Sequence, residues 1–363
     1  VGLLLGHGEL DGLEIASFNN ALLDQYDVFK VDITRKQDIG DYDLIVVSKP
    51  TQAFSEIDKL KLDQFVMRGG KLLLLLDKMD AIMDSASRED YLAFPYQLNL
   101  DDWLFKYGVR INPDLVQDLL SARYPIVTGQ VGGRPQMTQL EWPFFPLINQ
   151  YADHPVGRNL DATLLKFVSS IDTVKAVGVK KTPLMFTSPA SRKLGAPVQV
   201  NVNDLRQQLD PARFQSGPIP VAYLLEGQFT SLYKDRFLPA GMDTIQFLEQ
   251  SVGTKIIVVA DGDIVRNDIN PRTRQPQQLG FDAVSSYTFA NQDLLLNMVS
   301  FLVEENGLIT TRNKEVKIRP LNKTKIAEER TFWQLINLVM PVVLLIVYGM
   351  ARAYLRKRKY TLH

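Results

Sequence analysis

The C-terminal stretch Thr331–His363 constrains this chain more than any other. From Phe332 to Ala351 it runs for 20 residues without an Asp, Glu, Lys or Arg. At about 1.5 Å rise per residue, a helix of that length spans roughly 30 Å, the hydrocarbon thickness of a bilayer. Trp333 at one end and Tyr348 and Tyr354 at the other suit the two membrane interfaces. Arg352, Arg356, Lys357, Arg358 and Lys359 then supply a cationic stop. A buried core helix is the alternative reading of the same residues. The expectation is a transmembrane helix over 331–352, followed by a basic tail over 353–363. Lys and Arg also outnumber Glu upstream, over 311–330, so the positive-inside rule alone leaves the orientation open.

The remaining length suffices for about two globular domains. With 41 basic and 41 acidic residues, the net charge is zero. A balanced chain has no electrostatic footprint for nucleic acid. There is no cysteine, which excludes disulfides, zinc–thiolate sites and a Cys nucleophile. The chain starts at Val1 inside what reads as a core strand, so a processed or truncated start is expected, with any upstream span invisible.

The first 80 residues alternate strand and helix signals. Val1–Gly6, Val28–Ile33, Tyr42–Ser48 and Lys71–Asp77 are short strand-like runs. Leu13–Tyr26 carries helical spacing through Leu13, Ala16, Ala21 and Leu22. Ser55 can cap a helix through Met67, with Ile57, Leu60, Phe65 and Val66 as its apolar positions. Strands apolar on both faces, alternating with helices, predict a parallel sheet covered on both sides. The same grammar returns at Lys255–Ala260 and in the helical Asn291–Glu304. The expected fold class is therefore α/β. Its parallel-sheet domain is discontinuous, formed by 1–94 and 251–305. The interval 95–250, rich in Pro, Gly and polar residues, reads as an inserted α+β region. Strand candidates there are Thr163–Val168, Leu184–Ser188, Val198–Val202 and Val221–Leu225. Residues 306–330 read as a polar stalk.

Ligands of open α/β sheets bind beyond the carboxyl ends of the strands. Four segments fall there: Gly6-His7-Gly8-Glu9, Ser48-Lys49-Pro50, Asp77-Lys78 and Asp261-Gly262-Asp263. The candidate crevice is His7, Glu9, Lys49, Asp261 and Asp263, binding a ligand or partner segment or serving only as turns and caps. Asp261 and Asp263 also suit a metal-dependent hydrolase. Against that, the pair lies on the last strand and no catalytic Lys follows it. An EF-hand fails, because positions 6 and 12 counted from Asp261 are Arg266 and Arg272. No G-x-S-x-G elbow and no P-loop motif is present. No catalytic residue, metal or cofactor is expected. In the apolar helix, Gln334, Asn337, Pro341 and Tyr348 form one semi-polar stripe, which should face another helix rather than lipid.

Six segments resemble the GldG family, auxiliary membrane proteins of a bacterial gliding-motility ABC transporter. They are LLLGHGEL (3–10), FVSSID (167–172), LLEGQFTSLYKDR (224–236), KIIVVADGD (255–263), NQDLLLNMVSFL (291–302) and the anchor region 318–360. The resemblance implies a domain shared with intraflagellar-transport proteins and akin to class I glutamine amidotransferases. Those enzymes use a Cys nucleophile, which this chain lacks. It further implies a body on the periplasmic side of the inner membrane, a cytoplasmic tail, and as partners a multi-span permease and a cytoplasmic ATPase. A link to gliding and the associated secretion of Bacteroidetes-type bacteria comes with it. The expected function is a non-enzymatic subunit of such a complex. A solute- or glycan-binding module is the alternative, and homo-oligomerisation is left open.

Overall fold

The computed structural model describes residues 1–86, 91–131, 134–206, 209–239, 247–304 and 323–360. The chain divides into a body, Val1–Lys314, and a C-terminal unit, Glu315–His363. In the body, unbroken apolar runs become the inner strands. The first third gives Gly2–Leu5 (β1), Ala16–Leu23 (α1), Phe29–Asp32 (β2), Leu44–Ser48 (β3), Glu56–Met67 (α2) and Lys71–Leu75 (β4). Next come the helix Asp101–Tyr107 (α3) and the strands Val109–Ile111 (β5), Asp114–Asp118 (β6), Ser121–Val131 (β7), Arg134–Ile148 (β8), Gln150–Tyr151 (β9) and Val179–Phe186 (β10). Pro220–Gly227 (β11), Thr254–Val259 (β12), Asn291–Val303 (α4) and Lys323–Tyr360 (α5) follow, with shorter strands and helical turns among them.

The main sheet runs in the order β9-β10-β11-β12-β4-β3-β1-β2. From β2 to β12 every pairing is parallel, and β12, β11, β10 and β9 then pair antiparallel. Leu72 to Leu76 are at most 1% exposed, the mark of a central strand covered on both faces. Burying each such leucine contributes about 2 kcal/mol. Helix α4 packs on β3, β4 and β12, and α1 packs on α4. Three strands of the interval 95–250 thus extend the sheet built by its two flanks.

Helix α2 starts as its sequence suggests. Ser55 is the N-cap, its Oγ accepting from Asp58 N at 3.1 Å and donating to Asp58 Oδ2 at 2.7 Å. Ser55→Ala is expected to cost about 1 kcal/mol, read as a lower urea midpoint at unchanged slope. The burial of α2 departs from its apolar pattern. Ile57 is 40% exposed, whereas Lys59, Asp63 and Gln64 are buried. These buried polar groups have partners, so periodicity alone misplaces the inner face.

The ribbon β7–β8 was not expected from a stretch marked by Pro125, Gly129, Pro135, Pro143 and Pro146. Its bulges absorb the irregular register. An aromatic cluster supports it, with Trp142 at 4.7 Å from Phe145 and edge-on to Phe167 at 5.6 Å. This second core is separate from that of the main sheet.

In the C-terminal unit, Gln334–Arg356 is long and apolar enough to cross a membrane, with mean hydropathy 2.0 and no buried side chain among those described. It overlaps the expected 331–352. Gln334, Asn337, Pro341 and Tyr348 all lie in α5 and are exposed. At about 100° per residue they fall within an arc of about 60°, one face of the helix. Of the expected stalk, 306–322 lies outside the described residues, while 323–330 belongs to α5. The end of the tail, 361–363, is also outside them.

Candidate functional site

The carboxyl ends of β1, β3, β4 and β12 do bring the expected segments to one edge of the sheet. They form two buried clusters there instead of one crevice. Among the described residues, no hydrogen bond or ion pair joins His7 or Glu9 to Lys49, Asp261 or Asp263.

The first cluster is built on Lys49. Its backbone leaves β3 with φ 51°, in the left-handed region where a side chain costs about 1–2 kcal/mol. The turn is held by Lys49 N donating to Leu75 O at 2.8 Å. It sends the ammonium inward, where Nζ lies 2.7 Å from Asp77 Oδ2 and 2.5 Å from Asp263 Oδ2. The Lys49 side chain is only 5% exposed. Gly262 allows this approach, since a Cβ there would meet Lys49 Cβ at 2.7 Å. The Gly262 N–H in turn donates to Asp77 Oδ1. Asp261 is fully buried and accepts three backbone N–H bonds, from Lys166 at 2.8 Å, Asp263 at 2.7 Å and Ile264 at 3.1 Å. Arg266 lies 3.7 Å from Asp263 and pairs closely with Glu14.

Three carboxylates around one ammonium leave the cluster rich in negative charge. Burial, opposed by Lys49 and reinforced by Asp263, pushes the Asp77 carboxyl up to about 6. Burial first, then Asp77 and Asp263, drive Asp261 well above the usual carboxylate range. For Lys49, burial is the largest influence and works to lower its pKa. Asp77 and Asp263 together nevertheless hold it above the ordinary lysine value.

Oxygens of Asp77, Asp261 and Asp263 lie within 4.8 Å of one another, a spacing able to hold a cation. Lys49 Nζ pairs with two of the three, Asp77 and Asp263. The cavity beside Asp263, lined also by Lys166 and Arg266, measures about 20 Å³, room for about one water.

The second cluster centres on His7, which is 3% exposed. Its ring stacks on Phe54 with centroids 3.8 Å apart. Nε2 lies 3.4 Å from Asp58 Oδ2 and Nδ1 3.5 Å from Glu9 Oε1. The His7 backbone N–H donates to Glu9 Oε2 at 2.6 Å, and its carbonyl accepts from the Thr51 and Gln52 amides. Asp58 also pairs with Lys61 at 3.0 Å. His7 therefore pins the β1 loop to the start of α2. Sequence reading missed Asp58 and Phe54. Asp58 was detectable as the third helical residue after the Ser55 cap, but nothing in the pattern aims it at His7.

No curated protein sequence matches this chain. A solved structure titled "mmIFT52 N-terminal domain" is similar at 12% identity and a TM-score of 0.45, covering 84% of this chain and 98% of that one. That likeness is too remote to bear on function. The match that does bear on it runs over residues 1–298, to the model of a family described as "ABC-type uncharacterized transport system". Spanning most of the body that carries both clusters, it shows that the chain belongs to this family of auxiliary components of ABC-type transport systems.

Proposed function

We propose that this chain is a non-enzymatic auxiliary subunit of an ABC-type transporter complex in the cytoplasmic membrane. Its body faces the periplasm and its basic tail the cytoplasm, with α5 as the anchor between them. The partners are a multi-span permease and a cytoplasmic ATPase. The resemblance to the GldG family supports a link to gliding motility and its associated secretion, and an amidotransferase-like ancestry for the parallel sheet. One observation carries the non-enzymatic reading. Beyond the strand ends, where an α/β enzyme would receive its ligand, Lys49 is buried between Asp77 and Asp263, and the adjoining cavity holds about one water. The stripe Gln334, Asn337, Pro341 and Tyr348 is the face expected to pack on the permease.

Co-purification from native membranes tests this reading. A permease and an ATPase are expected with the wild-type chain, and their ATPase rate should depend on it. Gln334→Leu with Asn337→Leu should reduce permease recovery about eightfold, for two interhelical hydrogen bonds at about 0.6 kcal/mol each. Recovery of the chain without either partner, with α5 intact, would refute the proposal.

A further inference from the structure

A second and larger hollow opens beside α3. Its volume is about 610 Å³, and Phe105, Ile111 and Leu232 form its apolar floor. Ile111 and Leu232 are buried, but Phe105 remains 53% exposed. The rim carries four cations, Lys78, Lys106, Arg110 and Arg236, against two carboxylates, Asp101 and Asp102. A volume of this size lies within the range of ligand pockets.

The rim is under-neutralised. Lys78 grips Asp101 through both oxygens at 2.7 Å. Asp102 meets Arg236 at 3.1 Å and Lys59 at 3.1 Å, and Lys59 also pairs with Glu56 at 2.9 Å. Asp172 is shared by Arg110 at 3.2 Å and Lys193 at 3.9 Å. Lys106 meets no carboxylate among the described residues. Arg110 and Arg236 have side chains 55% and 50% exposed. Each guanidinium has five N–H donors in a fixed fork, so most remain free for a ligand. Phe237, fully exposed, follows Arg236 directly.

The walls are also preformed. Asp63 Oδ1 accepts from Leu232 N at 2.9 Å and from Tyr107 Oη at 2.9 Å, tying the 231–236 segment and α3 to α2. Tyr107 packs on Phe229 at 5.0 Å, and Trp103 packs on Tyr107 at 4.9 Å. A site fixed in advance loses little ordering entropy on binding.

We propose that this hollow docks an acidic peptide segment of a partner protein, one carrying an aromatic or long aliphatic residue flanked by Asp or Glu. The apolar residue fills the floor over Phe105, and its flanking carboxylates meet Arg110, Arg236 and Lys106. Exposed aromatics beside arginines are characteristic of protein-binding surfaces, and arginine clusters read acidic motifs. The inference does not depend on the transporter assignment.

The test uses the full chain in phosphatidylcholine nanodiscs, panned with a phage-displayed dodecapeptide library. Peptides enriched in Asp and Glu around Phe, Leu or Trp are expected, with binding that weakens as salt rises. Lys106→Glu with Arg110→Glu should weaken the selected peptides about tenfold or more. Arg110→Glu sets a carboxylate against Asp172, so Lys106→Glu alone, which breaks no ion pair among the described residues, is measured beside it and should melt with the wild type while still weakening the selected peptides. Charge-reversed peptides should gain affinity for the double variant. Enrichment without an acidic bias would overturn the proposal, as would acidic peptides that bind the variant equally well. Binding only to phosphatidylglycerol vesicles, lost in the variant, would assign the hollow to lipid and overturn it equally.

Discussion

Lys49→Met is expected to lower the stability of the body by about 3–5 kcal/mol at pH 7.5, because it takes from Asp77 and Asp263 the buried ammonium they share. For a body of this size that is a fall in melting temperature of about 5–8 °C. Relief of the positive φ cannot offset it, since Met is strained there as Lys is. The deficit should shrink at pH 5. The Asp77 carboxyl is pushed up to about 6 in the folded body from an ordinary 3.8, so between those values the folded state holds a proton that the unfolded state has lost. Stability from this group therefore rises as pH falls through about 6, and Asp261, shifted the same way, adds to it. In the variant both carboxyls lose the ammonium that favours ionisation, so proton uptake offsets more of the penalty. Melting curves at pH 7.5 and pH 5, followed by tryptophan fluorescence, give the answer. A loss under about 1 kcal/mol at pH 7.5, or one that does not change with pH, would mean that the ammonium does not neutralise the cluster.

Asp63→Ala should cost about 4 kcal/mol. Asp63 is fully buried, its pKa raised by burial, and it accepts from four donors. These are Ser231 Oγ at 2.6 Å, Leu232 N at 2.9 Å, Tyr107 Oη at 2.9 Å and Gln64 Nε2 at 3.2 Å. Alanine removes the charge but orphans those donors, each buried donor left unmade costing about 1–3 kcal/mol before relaxation. Tyr107→Phe deletes one donor together with its need and should cost only about 1 kcal/mol. The comparison is made by urea unfolding of both variants, with limited proteolysis around 231–236. Asp63→Ala should open that segment to cleavage and Tyr107→Phe should not. Equal stabilities for the two variants would show that Asp63 is not the anchor of the loop.

The parallel half of the sheet was legible because its strands are continuous apolar runs. LLLL at 72–75 and IIVV at 256–259 have no polar face that could turn to water, and the structure pairs them directly. The helix over 291–303 and the Ser55 cap were legible for similarly local reasons. The ribbon at 121–148 was not. Its prolines and glycines read as turns, and the tertiary pairing that makes strands of them has no local signature. The site was legible in part. Strand-end position placed Lys49, Asp77, Asp261 and Asp263 on one edge, but only the backbone turn at Lys49 aims the ammonium at the carboxylates. The partition of His7 from that group depends on Phe54 and Asp58, which come from the next loop and helix.

Strand β12 lies between β4 and β11, at the centre of the sheet, yet it is made of residues 254–259. A chain emerging N-terminus first therefore leaves one edge of β4, apolar on both faces, unpaired until Thr254–Val259 has been made. Pairing over such sequence distances is slow, and an open apolar edge invites association with other chains in the interval. The body must thus complete its fold late and nearly all at once. During synthesis, the chain up to Gly253 is the species open to such association, and arrival of β12 closes the edge.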